Sequence, residues 1–213
     1  MNISKVALTA CVAVVAFTAC TKDKTKVEQP LEVTTVTNLP ADTTTGFSST
    51  GRPIGNNAYT YYSLREKKII TGADTLTNKW DIAFKQFYIK VNGGTSSTGG
   101  NAAAAVVTST FEDYKTMALP DNELLQDNGA TFAINPMPGT WYTYNSTTFL
   151  ALPVPGRIFV IRTADGRFAK MEITSFYRNG VTPPATATPV EKALAQFFYQ
   201  FRFVFQPNGS KQF

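Results

Sequence analysis

The absence of one side chain limits the chemistry open to this sequence more than any residue present. There is no histidine among the 213 residues. That removes Ser-His-Asp and Cys-His catalysis, and with them the commonest zinc ligand. The chain carries no Gly-x-Ser-x-Gly elbow and no glycine-rich phosphate loop. Carboxylates remain available for acid–base work, but no spacing singles out a pair. What is left is sulfur and aromatic chemistry: Cys11 and Cys20, then Met117, Met137 and Met171, among 16 Phe, 9 Tyr and 2 Trp. Such a sequence reads as a binding protein and not as an enzyme.

Cys20 has a specific chemistry. Met1 to Lys5 carries one positive charge, Val6 to Ala19 is uncharged, apolar and small, and Cys20 follows. This is the layout of a secretory signal, too short to span a bilayer, which takes about 20 apolar residues. A small residue directly before cysteine resembles the bacterial lipobox, whose cysteine is acylated and becomes the mature N-terminus. Leu8-Thr9-Ala10-Cys11 fits the lipobox letters better than Phe17-Thr18-Ala19-Cys20. Processing at Cys11, however, would leave only Val6 to Ala10 as the apolar region, so Cys20 is the expected lipidation site. Residues 1–19 are then a signal peptide, 20–32 a polar flexible tether, and 33–213 a single domain. If Cys11 leaves with the signal, no cysteine pair remains to form a disulfide.

The elements that position any site read as short strands and turns. Aromatics are 13% of the chain and charged residues 16%, a balance that favours β-structure. Leu31 to Leu39 has β-branched alternation and is expected to be the first strand. Ala41 to Asn57, rich in Thr, Ser and Gly, is expected to be a loop. Tyr59 to Leu64 leads through a charged turn at Arg65 to Lys68 into Ile69 and Ile70. Trp80, Ile82 and Phe84 alternate with Asp81, Ala83 and Lys85, the period of a half-buried strand. Asn92 to Gly100 is loop, and Ala102 to Val107 begins a strand or a short helix. Arg157 to Thr174 reads as a hairpin turning at Ala164-Asp165-Gly166. Pro183, Pro184 and Pro189 interrupt the chain before a last strand, where Phe197, Tyr199, Phe201, Phe203 and Phe205 share one face. The net charge of +5 comes from scattered basic residues with no run, a solvated surface. Together with the export signal, it excludes nucleic acid as a partner.

Several of these segments, taken in order, resemble the HmuY-like haem-binding lipoproteins of Gram-negative bacteria. They are Tyr61-Tyr62-Ser63-Leu64, Trp80-Asp81-Ile82-Ala83-Phe84, Val91-Asn92-Gly93-Gly94, Arg157 to Gly166 with Ala169-Lys170-Met171, and Tyr199 to Phe205 with Asn208-Gly209-Ser210. The resemblance runs from about Val33 onward, with gaps. It implies an all-β fold, a single antiparallel β-sheet domain with long hairpin loops forming a ligand cleft. It also implies an outer-membrane, lipid-anchored protein that binds haem or a related tetrapyrrole and passes it to an outer-membrane transporter. In that family two His or two Met side chains hold the iron. Here the stretch between Phe111 and Trp141 is shorter than in members with a histidine pair. The residues after the tryptophan, Tyr142 to Thr147, contain neither His nor Met. Met137, flanked by Pro136 and Pro138, is the candidate axial ligand, because a thioether can donate to haem iron. Met117, Tyr142 and Tyr144 are the other candidate haem contacts, while Met171 reads as core filling. The alternative is a non-enzymatic surface module of the same fold that has lost haem ligation and binds glycan or protein.

Overall fold

A computed structural model describes residues 31–213. The signal segment, Cys11, Cys20 and the tether through Pro30 lie outside the described residues. The strands are β1 (Val33–Pro40), β2 (Gly46–Phe47), β3 (Pro53–Ile54), β4 (Thr60–Ser63), β5 (Lys68–Ile70), β6 (Ile82–Lys85), β7 (Tyr88–Val91), β8 (Ala103–Thr108), β9 (Tyr142–Asn145), β10 (Leu150–Pro153), β11 (Arg157–Arg162), β12 (Phe168–Tyr177) and β13 (Gln196–Gln206). One α-helix, α1 (Pro189–Ala195), immediately precedes β13. The class is all-β, and the named strands all pair antiparallel. No helix of the described residues is long and apolar enough to cross a membrane.

The strands do not form one sheet. A five-stranded sheet runs β1-β13-β12-β11-β8, and a four-stranded sheet runs β5-β4-β6-β7. The hairpins β2–β3 and β9–β10 stand apart as two-stranded sheets. A lone sheet would leave the aromatic face of β13 in water; folding a second sheet over it buries both faces. The contacts are aromatic. Tyr62 meets Phe201 edge-on at 5.5 Å, and Phe84 meets Tyr199 at 4.9 Å and Phe201 at 5.6 Å. Tyr199, Phe201 and Phe203 are fully buried, as their alternation predicts. In the hairpin β11–β12, Phe159 pairs with Met171 and Ile161 with Ala169, the expected register.

Two expectations change. The segment 80–85 is not half-buried: Asp81 and Ala83 are as buried as Ile82 and Phe84. Trp80 precedes β6 and packs with Ala83, Ile70 and Tyr61, away from the cluster that holds Ile82 and Phe84. Its indole N–H donates to the Thr75 carbonyl at 3.0 Å and the Thr98 hydroxyl at 2.8 Å. A period of two identifies the faces of a strand, but it cannot show that loops cover the outer one. The segment 41–57 also holds a small hairpin, with Gly46 paired to Ile54 and Phe47 to Pro53.

Candidate functional site

The structure separates the sequence-predicted site residues. Met117 is 3% exposed and packs with Ala103, Leu124, Val160 and Phe168. Its backbone N–H donates to the Lys211 carbonyl at 2.8 Å, which ties this loop to the C-terminal segment. Met171 is fully buried in the main core. Met137 is 62% exposed. The Asn135 side chain accepts the Met137 N–H at 3.0 Å, and Thr140 donates its hydroxyl to the Met137 carbonyl at 2.6 Å, shaping the Pro-Met-Pro loop.

Tyr142 and Tyr144 come together. Both lie on β9 and line a cavity of about 490 Å³, and Pro138, next to Met137, lines it too. That volume is in the ordinary range for small-molecule sites, about 300–1,000 Å³. Phe87, in the turn between β6 and β7, stacks on Tyr142 with ring centroids 4.4 Å apart and planes 1° from parallel. Phe197 closes on Phe87 edge-on at 5.1 Å. The Tyr142 hydroxyl donates to the Pro136 carbonyl at 2.7 Å. Burial pushes its pKa up, with a smaller contribution from Tyr88. Tyr142 therefore remains a neutral phenol that anchors the Pro136–Pro138 loop and presents a flat wall. Tyr144 is 46% exposed. The hairpin carrying both tyrosines is fixed to the main sheet because the Ala151 N–H donates to the buried Tyr177 hydroxyl at 2.9 Å.

Other walls were not singled out from sequence. Phe149, in the β9–β10 turn, lines the cavity, as do Pro53 from β3, Pro189, Lys192 and Ala193 from α1, and Gln196 from the start of β13. The helix does have a sequence signature. Thr188 accepts the Glu191 N–H at 3.2 Å, and Glu191 accepts the Thr188 N–H at 2.7 Å, a capping box with proline at the first helical position. The string Thr188-Pro189-Val190-Glu191 is the standard start signal for a helix. It places Lys192 on the cavity side. Phe87 and Phe149 are lone aromatics in turns, and no local pattern marks them.

The arrangement suits a flat, largely apolar ligand. Stacked rings and prolines supply a dry surface, and a few polar groups sit at its edge. For a porphyrin ring this fits. For iron, the lining offers Tyr144, since the Tyr142 hydroxyl is taken by the Pro136 carbonyl, with the Met137 loop adjoining through Pro138. No group of three or more Cys, Asp or Glu side chains among the described residues is gathered for a bare metal ion.

Comparison with known proteins places the chain. The family model described as HmuY protein matches residues 56–186. No curated protein matches the chain. Among solved structures, an HmuY-like heme-binding protein from Bacteroides vulgatus is similar at 14% identity and a TM-score of 0.47, over 81% of this chain and 91% of that one. A lipoprotein from Bacteroides fragilis is similar at 13% identity and a TM-score of 0.46, over 84% and 91%. The apo HmuY analog of Tannerella forsythia is similar at 16% identity and a TM-score of 0.44, over 83% and 96%. The family match spans more than half of the 213 residues, and on that ground this chain belongs to the HmuY family.

Proposed function

We propose that this protein is an exported lipoprotein, acylated at Cys20, that binds haem or a related tetrapyrrole in the aromatic cavity and hands it to an outer-membrane transporter. The observation that carries this reading is the cavity itself. In a chain of the HmuY family, Tyr142 and Tyr144 come together with Phe87 and Phe149 around about 490 Å³ of apolar space. Stacking and burial against these rings supply the affinity, at about 25 cal/mol per Å² of apolar surface removed from water. Met137 would be the candidate iron donor, on an exposed loop that adjoins the cavity through Pro138. Tyr144 is the second candidate; Tyr142 anchors the loop beside it, and Met117 packs in a separate cluster away from the cavity. No chemistry on the ligand is part of this reading; the protein is a carrier.

A haemin titration of the purified protein, followed at the Soret band with and without dithionite, tests it. A thioether donor favours ferrous iron, so binding should tighten on reduction. Met137→Ala should weaken mainly the reduced complex. Met117→Ala should leave the spectrum unchanged while costing about 2–5 kcal/mol of stability, the range for a buried methionine truncated to alanine. Binding should vary little between pH 5 and 7, since no histidine is present to protonate. No Soret shift in either redox state would sink the tetrapyrrole reading. The glycan- or protein-binding alternative, working through exposed aromatics, would then stand.

A further inference from the structure

Lys192 is a cation held in an apolar place. It is 6% exposed, yet it lines the aromatic cavity, and among the described lining residues it alone carries a charge. Its ammonium donates to the Ala185 carbonyl at 2.7 Å. None of the ion pairs among the described residues includes it. The nearest acid in sequence, Glu191, feels the Lys192 charge but forms no ion pair with it. Its carboxylate takes the Thr188 N–H at 2.7 Å and the Thr188 hydroxyl at 2.9 Å. An ammonium has three donors, and the Ala185 carbonyl takes one of them. A fold that keeps such a lysine beside a wall of rings has built half of an ion pair.

We propose that Lys192 is the anion anchor of this cavity, and that the ligand is a planar aromatic acid. Its carboxylate pairs with the Lys192 ammonium while its ring face lies on the Tyr142 and Phe149 side. Gln196, at the start of β13, also lines the cavity, with its side chain hydrogen-bonded to Tyr177. The proposal rests on the tetrapyrrole reading, deepens it, and names what the site selects. Ring area gives affinity, and the acid group gives orientation and choice. A charge-assisted bond to a buried partner is stronger than a neutral one. Blocking the acid, or removing the ammonium, should each weaken binding by roughly ten-fold or more.

The test uses ligand-side and protein-side changes together. Protoporphyrin and its dimethyl ester are titrated by tryptophan quenching into wild-type protein, Lys192→Gln and Lys192→Arg, with circular dichroism checking that each variant is folded. The free acid should bind wild type roughly ten-fold or more tightly than the ester. Lys192→Gln should erase that gap, and Lys192→Arg should keep most of it. Equal binding of acid and ester by wild type, with Lys192→Gln without effect, overturns the anchor and leaves the tetrapyrrole reading intact. If neither porphyrin binds, the tetrapyrrole reading fails, and pyrenebutyrate against its methyl ester judges the anchor separately. Discrimination that depends on Lys192 sustains it; none removes it.

Discussion

Asp81 is fully buried between two backbone N–H groups that arrive from distant parts of the chain. Leu64 and Ala164 each donate to its carboxylate at 2.8 Å, the second across 83 residues. Burial pushes its pKa up, against the opposing pull of those N–H groups and of Arg65. The sign of the pH effect follows. The folded-state pKa lies above the unfolded value of about 3.9, so the folded state holds the proton longer. The contribution of Asp81 is then largest below about pH 4 and declines as pH rises through its folded pKa. Asp81→Asn replaces one acceptor with a donor and leaves one buried N–H facing it, at a cost of about 1–3 kcal/mol. Urea unfolding of both proteins at pH 4 and pH 7 should show the variant less stable at both, with the smaller gap at pH 7. A gap that widens with pH would mean the hydrogen bonds to the ionised form outweigh burial. Nothing in the alternation of residues 80–85 reveals this role, because it depends on a backbone group that only the fold brings near.

At the scale of elements, the strands were largely legible and the cavity walls were not. The hairpin 157–174 and the last strand carry period-two patterns over many residues, and they fold as those patterns require. The β9–β10 turn is different. Phe149 has φ of 56°, a left-handed conformation that costs a bulky residue roughly 1–2 kcal/mol and that glycine adopts freely. It is also 54% exposed, so its ring gains little from the core. An expensive backbone carrying an exposed aromatic at the cavity is what a ligand contact looks like when stability is not its purpose. Phe149→Gly should therefore raise the unfolding free energy by about 1 kcal/mol or less and weaken tetrapyrrole binding by up to roughly ten-fold. A less stable variant that binds as well as wild type would assign Phe149 to packing instead.

At the scale of the molecule, the segments that carry the family resemblance converge on a frame. The Asn92 side chain donates to the Trp80 and Thr77 carbonyls, both at 3.0 Å, and its N–H reaches the Asp81 carbonyl at 3.0 Å. A Cβ on Gly93 would lie 1.8 Å from the Ala102 carbonyl oxygen, so only glycine lets the chain cross there. Ala164 donates to Asp81 and accepts from Asn101. Sequence resemblance thus reads the bracket between the two main sheets, whereas the cavity is lined by residues outside those segments. The same division applies to the anchor. Leu31 to Phe213 is a compact unit by itself, and the proposed acylation lies outside it at Cys20. Each buried acyl CH₂ adds about 0.8 kcal/mol of membrane affinity, so two or three chains hold a protein that the fold alone would not. Cys20→Ser expressed in a Gram-negative host should move the protein from the membrane to the soluble fraction and remove the acyl mass. Its melting temperature and tetrapyrrole affinity should stay those of the folded unit. If Cys20→Ser stays in the membrane fraction while Cys11→Ser is released, the anchor is the earlier cysteine, and the tether is longer by the residues between them.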